Sequence, residues 1–286
     1  MLSPSIWLLL LVLALPQTPE GSGVKITTRS GPLGNSHERT SYLQADRERL
    51  EYTNSVGGKY TATIYGPRLV RIVRCDLGQS FELNLETAEY TSAPYPPKPL
   101  TQEEIKARGL DSPAMRSTEN PTLRVEIKTR DTGERKEMFG RTARHVITTR
   151  TQTPLNGSHS EPQEAVTDGW YIDFDHQLPC DSKPLKGKQG YISGWVGVNN
   201  GRYPMEKPEF VYIGEPETGF PIAVTLTSKS ASSAPDAFVS TFETRVTEFT
   251  EGPLDPALFE IPLGFKHVDH IERSPRSPAL AGKPSN

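Results

Sequence analysis

The sequence predicts a mainly β (α+β) protein built on one antiparallel sheet, and three observations carry that expectation. Apolar and polar residues alternate with a period of two in segment after segment. Proline (26) and glycine (23) interrupt the chain often enough to favour many short strands over long helices. Helical spacing of apolar residues is scarce.

The elements follow in order. Val24–Thr28, Arg39–Ala45, Arg49–Thr53, Tyr60–Tyr65 and Leu69–Cys75 read as strands, with Gly57-Gly58 and Tyr65-Gly66-Pro67 as hairpin turns. Phe81, Leu83 and Leu85 share one face of the next strand and Glu82, Asn84 and Glu86 the other. The Pro-rich excursion 92–121 holds a short helix over Thr101–Arg108, where Thr101 and Glu104 are spaced for a capping box. Leu123, Val125 and Ile127 alternate with Arg124, Glu126 and Lys128, and Asp131-Thr132-Gly133 reads as the turn that follows. Phe139-Gly140 then starts the returning strand, which continues through Ala143–Thr151. A polar excursion, 153–167, leads into Trp170, Ile172 and Phe174, which alternate with Tyr171, Asp173 and Asp175. Phe220, Ile222, Val224 and Leu226 form another half-buried strand, as do Phe238, Phe242 and Val246 in the run Ala237–Phe249. Asp255–Phe259, after Pro253, reads as a helical turn. The expected organisation is one β-rich domain over 23–271 and a disordered tail over 274–286.

The unbroken apolar run Ile6–Leu15, followed by Pro16 and polar residues, reads as a signal peptide over 1–20; an uncleaved anchor is the alternative. Export to a periplasmic or extracellular compartment is the expectation, with about 265 residues left as the mature chain and no integral span in it. An exported chain with two cysteines invites a Cys75–Cys180 disulfide. A formal net charge of -3 argues against a nucleic-acid partner, which would require a basic field.

Candidate chemistry is thin. His267-x-x-His270 has a metal-compatible spacing without a supporting motif, and His145 reads as a satisfied sheet residue. Asp168, Asp173, Asp175 and Asp181 gather around Trp170, yet acids are expected on the wet face of such a strand. Gly190-Tyr191-Ile192-Ser193-Gly194 misses the G-x-S-x-G spacing of a nucleophile elbow. The expectation is a non-enzymatic protein with no catalytic residue, no metal and no cofactor. Eight aromatics, Tyr60, Phe81, Trp170, Phe174, Trp195, Phe220, Phe238 and Phe242, are the candidates to line a ligand cavity; filling an ordinary core is the alternative.

Three pieces of the chain carry a resemblance: Ile72–Leu77 with the strand Leu83–Tyr90, Asp131–His145 with Asp168–Asp173, and the ending Leu254–Phe265. Together they resemble a group of uncharacterised exported bacterial proteins of Acidobacteria type, distantly similar to the periplasmic lipoprotein-carrier-like superfamily. The resemblance implies a curved sheet or half-barrel, and this sequence departs from that superfamily in lacking long covering helices and in its long Pro-rich loops. The expected fold is one curved antiparallel sheet of roughly eight to eleven strands with short helices and long loops, with two stacked smaller sheets as the alternative. The resemblance further implies a concave apolar face able to hold a lipid or acyl chain. The expected function is therefore an exported envelope protein binding a hydrophobic molecule. The alternative is a structural or protein-interaction scaffold that meets an envelope protein through its Pro-rich loops.

Overall fold

The computed structural model describes residues 22–32, 37–56, 64–108, 120–181, 206–230 and 239–274. The first half of the chain forms β1 (Ser22–Pro32), β2 (His37–Gln44), β3 (Arg47–Val56), β4 (Ile64–Arg74), β5 (Gln79–Asn84) and β6 (Glu89–Pro94). After a short helix α1 (Gln102–Ala107) come β7 (Leu123–Met138), β8 (Arg141–Pro154) and β9 (Gln163–Ile172). The last part forms β10 (Pro208–Ile213), β11 (Phe220–Ser230), β12 (Val239–Pro253), a 3-10 turn (Pro256–Phe259) and β13 (Lys266–His267).

All of these strands belong to one 13-stranded sheet, ordered β10-β7-β8-β9-β11-β12-β1-β2-β3-β4-β5-β6-β13. The sheet is mixed: β10 runs parallel to β7 and β13 parallel to β6, one at each edge, and every other pair is antiparallel. The pair β1–β12 joins two meanders, and it brings the start of the described chain against its last long strand. Among the described residues, no helix is long and apolar enough to cross a membrane.

The apolar alternation has two destinations. On β2, Leu43 packs with Val24, Ile26, Val246 and Phe249, whereas its neighbour Tyr42 packs with Val70, Ile72, Leu83 and Phe259. Successive strand residues point to opposite faces, so these clusters lie on opposite sides of the sheet. The register agrees: Val24 pairs across with Leu43, and Tyr42 leads through Arg49 and Ile72 to Phe81.

The C-terminal segment covers the second cluster and then wraps the β6 edge. The side chain of Asp255 caps the 3-10 turn through Ala257 N–H, and Phe259 is driven into the cluster with 1% exposure. Two buried arginines hold the turn: Arg49 Nη1 donates to Leu258 O (3.0 Å), and Arg74 Nη1 donates to Glu260 Oε1 (2.6 Å). Beyond β13 the chain crosses to the other face, where Asn84 donates to Glu272 O (2.9 Å), Arg273 pairs with Glu82 and Ile271 is buried.

Several expectations need correction. Tyr65-Gly66-Pro67 is not a turn but lies inside β4, opposite a register irregularity between Thr53 and Ser55. A proline is tolerated where the ladder is already broken. Asp131-Thr132-Gly133 is a bulge within β7, closed by Asp131 accepting from Gly133 N–H (2.8 Å) and from Arg135. The hairpin turns instead at Phe139-Gly140, both at positive φ (53° and 70°), a two-residue turn whose twist suits the flanking strands. The polar excursion 153–167 narrows to 155–162, because Gln163–Thr167 already pairs with β8 and β11. The excursion 92–121 likewise begins inside β6, and within it the Thr101 capping box forms as expected. The strand through Trp170 stops its ladder at Ile172. Gly57-Gly58, residues 1–20 and the tail from 275 lie outside the described residues.

Candidate functional site

Where the ladder of β9 ends, the chain continues extended as a strap across the rim of the sheet. Residues 173–181 keep the period-two pattern: Phe174, His176, Leu178 and Cys180 are partly or fully buried, while Asp173, Asp175, Gln177 and Pro179 are exposed. The strap ends at the Cys75–Cys180 disulfide, whose Cα atoms are 5.5 Å apart, just beyond β4.

Its span has a geometric consequence. Between β9 and β4 stand β11, β12, β1, β2 and β3. Six inter-strand steps of about 4.8 Å would need about 29 Å in a flat sheet. Eight residues from Ile172 to Cys180 reach at most about 26–29 Å when fully extended. The strap is not fully extended at its end, since Asp181 N–H turns back to Leu178 O (3.0 Å). The Cys75–Cys180 link adds its 5.5 Å between Cα atoms to that reach, so the strap crosses the six steps with little slack.

Under the strap lies a cleft of about 220 Å³. Its walls are the starts and ends of three strands, with Val24, Leu43 and Glu251 on the sheet side and Phe174, His176 and Leu178 on the strap. Gly23 belongs to the same wall, and its bare backbone is required: an added Cβ would sit 2.6 Å from Leu43 O and 2.5 Å from Leu254.

Both ends of the strap are pinned by side chains. At the β9 end Phe174 meets Phe220 and Phe249 edge-on (ring centroids 5.5 and 5.1 Å), and Arg141 lies over Phe174 (5.7 Å) while pairing with Glu251. Arg144 donates to Asp173 (2.5 Å) and to both oxygens of Glu217, which together hold its pKa above the ordinary guanidinium value. At the disulfide end the Tyr95 hydroxyl donates to Asp181 Oδ1 (2.5 Å) while Arg71 covers the Tyr95 ring (5.3 Å). Burial raises the Tyr95 pKa, and the Asp181 hydrogen bond adds to it. Nearby, burial pushes the Glu48 carboxyl up and Asp181 adds to the rise, against an opposing pull from Arg71.

The aromatics expected to line a cavity do not all meet. Trp170, Phe174 and Phe220 gather in the cluster beside the cleft, with Phe174 in its wall. Phe81 belongs to the cluster on the opposite face, and Phe242 stands 42% exposed near the far end of β12. Tyr60, Trp195 and Phe238 lie outside the described residues. Sequence reasoning missed Val24, Leu43, His176 and Leu178; the alternation through Phe174 was the available signal for the last two, had it been followed beyond the strand.

The acids around Trp170 also disperse. Asp168 takes a hydrogen bond with His145 Nε2 (2.7 Å), whose ring stacks on Trp170 (4.9 Å), whereas Asp173 and Asp181 serve the two ends of the strap. Among the described residues, no three His, Cys, Asp or Glu side chains form a group able to hold a metal ion.

No family model and no curated protein matches the chain. Among solved structures, the crystal structure of MucB in complex with MucA(peri) aligns over 79% of this chain and 89% of that one, at 11% identity and a TM-score of 0.12. At that level the likeness establishes neither fold nor function.

Proposed function

We propose that this chain is an exported, non-enzymatic protein of the cell envelope that binds a hydrophobic group, such as the acyl chain of a lipid, in the strapped rim cleft. The observation that carries the reading is the cleft itself: Val24 and Leu43 on the sheet side stand with Phe174 and Leu178 of the strap, and Gln44, Asp175, His176 and Glu251 give the same cleft a polar rim. The disulfide suits an oxidising compartment, in line with the apolar run at the N-terminus. Native mass spectrometry of protein exported in its host and purified without detergent tests it. A lipid adduct lost on Leu43→Asp supports the reading. A bare mass, together with no binding of added hexanoic acid by ligand-observed NMR, overturns it.

A protein partner is the second reading, favoured by the β10 edge rather than by the Pro-rich loops. Phe210, Tyr212 and Ile213 stand 42–45% exposed on a strand that pairs with β7 on one side. Capture of an envelope protein that Tyr212→Lys abolishes, with an unchanged fold, is the result this reading expects; capture that survives the substitution removes it.

A further inference from the structure

The cleft is small for the ligand its walls suit. At about 220 Å³ it falls below the roughly 300–1,000 Å³ usual for small-molecule pockets. A short alkyl segment, such as the end of an acyl chain, fits under the strap, and the whole of a long chain does not.

The manner in which the strap is held is the second observation. A strand added to a sheet is fixed by main-chain bonds along its length, but this segment crosses the strands instead of pairing with them. Among the described residues, the single main-chain to main-chain bond of 173–181 is internal, from Asp181 N–H to Leu178 O. Gln177 N–H goes to Asp175 Oδ1 (3.1 Å) and Leu178 N–H to Asp181 Oδ2 (3.0 Å), so these too are satisfied within the strap. What ties the far end to the sheet is the Cys75–Cys180 bond and the Tyr95–Asp181 hydrogen bond. Lifting the strap therefore breaks no ladder.

We propose that the strap 173–181 is a cover that limits the length of the group the cleft accepts, and that cleavage of Cys75–Cys180 by a dithiol releases it. This rests on the cleft being the binding site. In the step, a dithiol supplies two electrons and two protons. The Cys75–Cys180 sulfur–sulfur bond breaks to two thiols, and the donor closes to its own disulfide. With the far end free, Leu178 and His176 move off the rim and the row Val24–Leu43 opens toward Val73, its neighbour across Glu48 in the register. Phe174 stays packed on Phe220 and Phe249 and acts as the hinge side of the cover.

The test compares hexanoic and palmitic acid on three forms of the full protein: oxidised, reduced with a dithiol, and Cys75→Ser/Cys180→Ser. Palmitic acid affinity is expected to rise at least about tenfold on opening the bond, with hexanoic acid changed by less than about threefold. Hydrogen exchange supplies a readout independent of any ligand. The amides of 173–181 must accelerate on reduction while those of β1–β4 stay protected, and reoxidation must reverse both effects. If hexanoic acid binds but palmitic acid binds equally in all forms, the cover is refuted and the site stands. If neither acid binds any form, the site fails and the cover with it. If reduction unprotects β1–β4 as well, the bond is a structural staple rather than a latch, and the proposal is overturned.

Discussion

The two edges of the sheet are finished differently. At one edge, β13 contributes only Lys266 and His267, and the chain around it packs Phe259 and Phe265 on one face and Ile271 on the other. At the opposite edge, β10 offers six residues, Pro208–Ile213, and leaves Phe210, Tyr212 and Ile213 exposed. A short, charged and covered edge cannot template another strand, whereas a longer apolar one can. The lesson is that the C-terminal segment protects one end of the sheet, while the other end keeps three exposed apolar side chains on its edge strand.

Substitutions that unmake this contrast have a natural order. Phe259→Ala removes the plug of the wrapped edge and is expected to cost about 3–5 kcal/mol, read by urea denaturation. Arg74→Ala loosens the same wrap by stripping donors from Phe259 O, Glu260 and Asp76, an expected loss of about 2 kcal/mol on the same measurement. At the open edge, Gly214 closes β10 against β7 at φ +82°, and a Cβ there would lie 2.2 Å from Thr129 O. Gly214→Ala should therefore cost about 1–3 kcal/mol, with exchange protection lost from β10 and retained on β4–β6. Tyr212→Lys should shift stability by less than about 0.5 kcal/mol while reducing self-association in light scattering; a large destabilisation would mean that the edge is covered.

The smallest effect concerns pH. Arg135 and the Gly133 N–H hold the Asp131 carboxyl down at about 2. A carboxyl depressed on folding contributes stability that is present above its unfolded value of about 3.9 and is lost as pH falls toward about 2. The group is exposed, so the contribution is slight. A carboxyl NMR titration that finds Asp131 at an ordinary value would show the bulge to be open.

Much of this was legible in the sequence, for identifiable reasons. Alternation in Phe81–Leu83, Leu123–Ile127 and Phe220–Ile222 is local and marks strands wherever they end up. The helix cap at Thr101 and the Asp255 cap depend on neighbours within three residues. The Cys75–Cys180 pair follows from a count of two cysteines read with an expected oxidising compartment. What stayed hidden is non-local. β10 shows no clean alternation, because Phe210 and Tyr212 are flanked by Val211 and Ile213, and its pairing partner β7 lies far back in the chain. Phe139 gives no sign that it will adopt positive φ, while Asp131-Thr132-Gly133 has the composition of a turn and serves as a bulge. Alternation also does not say which face of one strand meets which face of the next. Composition alone groups Phe81 with Phe174, and only the register through Ile72 and Arg49 to Tyr42 sends it to the other side.

The central pair β1–β12 carries a kinetic consequence. The meanders β2–β6 and β7–β8–β9 can each zip from local turns, but Ser22 finds Pro253 only when nearly the whole chain is present. Closing that pair bears the largest loop entropy in the molecule and sets its contact order high, which slows folding. A chain threaded through a membrane N-terminus first would hold its opening strand unpaired until the last long one emerged. Late closure makes the arrival of the last long strand the step that completes the sheet.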